Sequence, residues 1–154
     1  MNRNLCRTAL LLLTLLLSVA TTWAASTFGG GDGSAKNPYL ITSSAQWDQL
    51  SADVAAGTNY SGQYFQLDDD ISIATMLGTG TNGLDAKSFK GTFDGNGHTL
   101  TFNYTATENI ATAPFRFVRS ATIKNLHVDG TITTAYKHVG GLVGRAYGKM
   151  EPSM

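Results

Sequence analysis

From Phe89 to Gly144 the chain alternates short apolar stretches with glycine and asparagine turns: FKGTFDGNGHTLTFNY, then APFRFVRSATIKNLHVDGTIT, then HVGGLVG. The apolar cluster at 114–118 returns at 141–144, about 26 residues on, a spacing that suits one supersecondary unit per repeat. Such a pattern predicts an all-β solenoid whose coils stack through backbone ladders around an apolar interior. Leu100, Phe102 and Tyr104 alternate with Thr99, Thr101 and Asn103, the signature of a strand with one buried face. Asp94-Gly95 and Asn96-Gly97 supply the positive φ of tight turns. Phe115, Phe117 and Val118 open the next coil, and Ile123, Leu126 and Val128 continue it. The parity change between Ile123 and Leu126 predicts a bend near Asn125, whose amide is expected to stack on an equivalent amide in a neighbouring coil. Ile132 and the segment 139–144 open one more coil, which RAYGKMEPSM does not complete. An uncapped last coil exposes a ladder edge, so the sequence reads as a piece of a longer solenoid or as one able to associate end to end.

Upstream, Phe65, Leu67, Ile71 and Ile73 share one parity and predict a strand pair over 64–73, broken by Asp68-Asp69-Asp70. Residues 75–88 read as a long loop of glycine and small polar residues. The spacing predicts a helix over Ser44–Ala56, with a capping box between Ser43 and Gln46. Trp47, Leu50 and Val54 share one helix face, and Gly57 supplies the stop. This short helix is expected to cap the apolar end of the first coil. Ahead of it lie a glycine-rich lead-in, STFGGGDGSAK, and a short extended piece at 37–41 that Pro38 keeps out of helix.

The first 24 residues have the anatomy of an export signal: Arg3 and Arg7, a mainly apolar run of 11 residues from 9 to 19, and a cut after Ala24. That run is shorter than the roughly 20 residues of a membrane-spanning helix. The chain thus divides into 1–24 (signal), 25–57 (lead-in and capping helix), 58–148 (coils) and 149–154 (incomplete end), with an extracellular or outer-surface address expected. Removing 24 of 154 residues leaves 130 and no cysteine, because the single one is Cys6. Stability must then come from burial and ladders rather than disulfides. Arg3 and Arg7 leave with the signal, so the 11 basic residues fall to 9 against 11 acidic ones, a net of about −2. That balance argues against nucleic acid as a partner, which would need clustered Lys and Arg. No second apolar stretch reads as a membrane span.

Candidate chemistry competes with structural roles at every position. Asp68-Asp69-Asp70 offers calcium three carboxylates, yet neighbouring strand residues face opposite ways, so a charged strand break is the stronger reading. Asp94 and Asp129 each precede glycine and read as turn formers. As a pair on one face they would be the carboxylates a glycosidase needs. His98, His127 and His138 lack metal-ligand spacing; His127 is expected to face solvent, and His98 to bond the turn. Tyr60, Tyr64, Tyr104, Tyr136 and Tyr147 include candidates for stacking on sugars. The residues therefore assign no catalytic, cofactor or metal site.

Two stretches carry a resemblance. FGGGDGSAKNPYLITSSAQWDQLSADVAAG, followed by GQYFQLDDDI and FKGTFDGNGHTL, resembles the N-terminal part of secreted and surface proteins of gut and oral Bacteroidetes that bear GLUG repeats. Gly141-Leu142-Val143-Gly144 matches that motif, although 113–117 (APFRF) stands where a second copy would fall. The resemblance implies a right-handed parallel β-helix of the pectate-lyase-like kind at the cell surface or outside the cell. The function expected is adhesion or binding of a glycan or host surface protein, without catalysis and without a cofactor. The rivals are a fragment of a polysaccharide-acting lyase or glycoside hydrolase, and a structural spacer.

Overall fold

The computed structural model describes residues 27–82 and 84–148. The expected export signal at 1–24 and the incomplete end at 149–154 lie outside the described residues. Among the described residues eleven short strands and one helix follow in chain order: β1 (Tyr39–Ile41), α1 (Ser44–Ala56), β2 (Tyr64–Leu67), β3 (Ile71–Ile73), β4 (Thr92–Asp94), β5 (Thr99–Phe102), β6 (Tyr104–Thr105), β7 (Phe115–Arg119), β8 (Thr122–Lys124), β9 (His127–Asp129), β10 (Ile132–Thr133) and β11 (Val143–Tyr147).

Every pairing between these strands is parallel. They are divided among four small sheets, ordered β1-β2-β4-β8, β3-β5-β9, β10-β6 and β11-β7. This corrects the right-handed β-helix, since the described residues show no closed solenoid. The physical reason is irregularity. Strands of two to five residues leave the ladders short. Partners in register stand from 26 residues apart (Tyr39 and Phe65) to 30 apart (Phe93 and Ile123). The helix and the 75–88 connection interrupt successive turns of the chain. The predicted strand pair over 64–73 is corrected as well: β2 and β3 follow one another but join different sheets, each pairing with a later strand.

The inward and outward alternation read from the sequence fixes the core. Phe65 and Leu67 of β2, Phe93 of β4, Leu100 of β5 and Phe115 of β7 have no exposed surface. Burying a large apolar side chain contributes roughly 1.5–3 kcal/mol. Trp47 joins two sheets, its ring edge-on to Phe93 at 5.8 Å and to Phe115 at 5.3 Å. Its indole N–H donates to the Thr75 carbonyl at 3.0 Å.

Helix α1 spans the predicted residues and buries Trp47, Leu50 and Val54. Its start differs from the expected capping box. Ser43 is extended and makes no side-chain cap, while Gln46 Oε1 accepts the Thr42 N–H at 2.6 Å, one residue earlier than Ser43. The stop is Gly57 at φ 111, a left-handed position that a glycine fills without a Cβ penalty. The outer edge of β1 is covered, because the Gly29 N–H donates to the Leu40 carbonyl and the Leu40 N–H to the Gly30 carbonyl. At the far side β8, β9 and β10 carry no further strand among the described residues, and an apolar groove of about 390 Å³ opens beside β9 and β10 between Phe102, Val128, Ile132 and Val139.

Candidate functional site

The acidic run turns the chain between β2 and β3. Asp68, Asp69 and Asp70 are all exposed. Asp69 Oδ1 accepts the Asp70 N–H at 2.8 Å. Asp70 Oδ1 accepts the Thr99 N–H at 2.8 Å and faces His98 Nδ1 at 3.3 Å. The Thr99 N–H, then His98 and His127, hold the Asp70 carboxyl below the usual carboxylate range. The run therefore ties β3 to β5. Among the described residues no three acidic, histidine or cysteine side chains converge as a metal site would require. His98 bonds the turn as expected, its N–H donating to the Gly95 carbonyl, and His127 is exposed.

Asp94 and Asp129 fall in different sheets, β4 and β9. Asp94 Oδ1 accepts the Asn96 N–H at 2.9 Å and Asn125 Nδ2 at 3.1 Å, and its other oxygen meets Lys124 Nζ at 3.0 Å. Burial pushes its carboxyl up, but these hydrogen bonds and the Lys124 charge outweigh burial and leave it below the ordinary range. Asn125, at φ 51, makes the predicted bend. Its amide bonds this carboxylate rather than a neighbouring amide. Asp129 accepts the Gly130 N–H at 2.7 Å. Both residues thus serve their turns. Gly95 is required for a different reason: a Cβ there would meet Leu126 Cα at 2.4 Å and the Asn125 carbonyl oxygen at 2.5 Å.

The tyrosines divide sharply. Tyr60 packs edge-on to Phe65 and donates to Asp53 at 2.6 Å; burial, then that hydrogen bond, raises its phenol far above its usual value. Tyr104 stacks on Phe102 and Tyr147 on Phe117. Tyr136 is exposed and bonds the Thr107 carbonyl. Tyr64 differs from these. Phe65 and Leu67 turn inward, so Tyr64 and Gln66 stand on the outer face of the first sheet. There Tyr64 flanks a groove of about 360 Å³ with Gln66, Thr92, Asp94, Lys124 and Lys36. Parallel register brings these residues together: Tyr64 lies beside Thr92, Gln66 beside Asp94, and Asp94 beside Lys124. Lys36, Gln66 and Lys124 carry no local signal in the sequence, where their separation of up to 88 positions hides the cluster.

No family model matches the chain, and no solved structure matches it. A protein of Evansella cellulosilytica, named "Putative Gly-rich membrane protein", is 32% identical over 138 residues. The match covers 82% of this chain and 15% of that protein, so the chain spans about a seventh of the relative's length. Among the described residues no helix is long and apolar enough to cross a membrane.

Proposed function

We propose that this chain is an exported, surface-exposed binding module that contacts glycans of its surroundings or of a host surface through the Tyr64 groove, without catalysis. One observation carries the reading: an outward tyrosine borders a groove lined by the polar side chains Gln66, Thr92, Asp94 and Lys124. A sugar ring presents an apolar face that suits an aromatic flank, and its hydroxyls suit Gln66, Thr92 and the Asp94–Lys124 pair. Small-molecule sites combine such a concave surface with a few convergent polar groups. Outside the cell, a protein built without disulfides and with few charges suits an exposed, passive role. The GLUG-like residues 141–144 point to the same surface setting.

The test is a glycan array probed with the chain lacking residues 1–24, followed by calorimetry on the hits. Saturable binding that Tyr64→Ala weakens about tenfold supports the groove, since one aromatic stacking contact has that magnitude. Release of reducing or unsaturated ends, abolished by Asp94→Asn or Asp129→Asn, would assign the chain to carbohydrate-cleaving enzymes instead.

A further inference from the structure

Among the described residues four large apolar side chains stand well exposed: Leu84 completely, Val139 at 44%, Tyr136 at 39% and Val128 at 37%. Isolated ones are ordinary on a surface. These four fall in two places. Val128 and Val139 border the groove beside β9 and β10, and Tyr136 lies in the connection that leads from β10 to Val139. Leu84 stands on the 79–87 loop.

That loop is held in shape. The Thr79 and Lys87 N–H groups each donate to the other's carbonyl, at 3.0 and 2.7 Å. The Asp85 carboxylate accepts the Thr81 hydroxyl at 2.6 Å and the Asn82 N–H at 2.8 Å. Asn82 Oδ1 in turn accepts the Leu84 N–H at 2.8 Å. A loop already ordered loses little further freedom on docking. Arg145 of β11 donates to the Thr81 carbonyl at 3.4 Å, so the loop reaches the level of the last strand. Val139 and Gly141, on the groove wall, lead into that same strand.

The groove measures about 390 Å³, and Asp129 is the one charged residue among the described residues lining it. It has room for a leucine side chain, since a dry cavity of about 150 Å³ already admits benzene. The charges beside the two surfaces are complementary: the loop carries Asp85 and Lys87, and the groove side carries Asp129 and Lys137. Neither lysine takes part in the ion pairs among the described residues. At the opposite end of the first sheet the Gly29–Gly30 backbone already occupies the edge of β1, so a far side cannot extend that ladder. A far side can meet another far side. Knob and groove on one patch make that patch self-complementary, the condition for a closed two-fold pair.

We infer that two copies of this chain associate through their far sides, Leu84 of each entering the apolar groove of the other between Val128 and Val139. One knob and its rim on each copy make a small interface, which belongs with weak and transient association. The contact does not depend on the Tyr64 groove.

Sedimentation equilibrium of the full chain over a wide concentration range tests this. A mass that rises from one chain to two, with a dissociation constant that Leu84→Ser or Val139→Asp raises at least about tenfold, supports the contact. Leu84→Met, which conserves volume, should hold the constant within about threefold. Leu84 has no packing to lose within its own chain, so its effect on pairing is separable from folding. Hydrogen exchange links the two surfaces: amides of β9 and β10 should slow with rising concentration in the parent chain and not in Leu84→Ser. A single-chain mass at every concentration overturns the proposal. So does a doubled mass that both substitutions leave unchanged, because the contact then lies elsewhere. Protection of β9 and β10 that ignores concentration overturns it as well, since another segment then covers the groove.

Discussion

The early and the late strands of two ladders share an inward row but differ in burial. In the first sheet Phe65 and Phe93 occupy one inward row with Ile123. The first two have no exposed surface, whereas Ile123 keeps some. In the second, Leu100 is fully buried and Val128, its neighbour in register, is 37% exposed. Facing inward therefore does not bury a residue; the next layer does. On the early side that layer is α1 and the Gly29–Gly30 strap over β1. On the late side Val128, Ile132 and Val139 border an open groove.

The largest expected effect tests the early side. Trp47→Ala removes the ring that joins β4 to β7 and should cost about 3–5 kcal/mol in urea unfolding. Val139→Ala, on the open rim, should cost under about 0.5 kcal/mol. Equal losses would erase the distinction. Gly95→Ala comes next, at about 1–3 kcal/mol by thermal melting, because its Cβ would strike backbone atoms of Asn125 and Leu126. Gly141→Ala meets nothing within 4 Å and should leave the melting temperature within about a degree. Hydrogen exchange sharpens the contrast without mutation: amides of β2 and β4 should exchange far more slowly than those of β9 and β10. If β9 proves equally protected, the open rim is covered in solution.

The smallest effect is electrostatic. The Asp94 carboxyl is lowered in the folded chain, so its contribution is present above the unfolded value of 3.8 and fades as pH falls through the folded one. Acid melts between about pH 5 and 2 should show Asp94→Asn losing less stability than the parent chain over that range. Since Lys124 is half exposed, the difference should be below about 1 kcal/mol.

Local signals were legible and long-range ones were not. The bounds of α1, the inward set of Phe65, Leu67, Leu100 and Phe102, and the bend at Asn125 all follow from periodicity and turn chemistry within a few residues. The division into four sheets does not, because each ladder joins residues some 26 to 30 positions apart and that spacing drifts from one pair to the next. For the same reason Tyr64 and Asp94 are legible as candidates one by one, while Lys36, Gln66, Thr92 and Lys124 beside them are not. The start of α1 differs for a subtler reason: Gln46 serves Thr42, and one residue of displacement is beyond what a spacing rule resolves.

Trp47 has one more use. The sequence holds two tryptophans, and the other, Trp23, sits in the stretch expected to be removed on export. A processed chain would then emit ultraviolet fluorescence from a single indole, sealed among phenylalanine rings. Its spectrum would report, free of any added dye, whether the junction between β4 and β7 is intact.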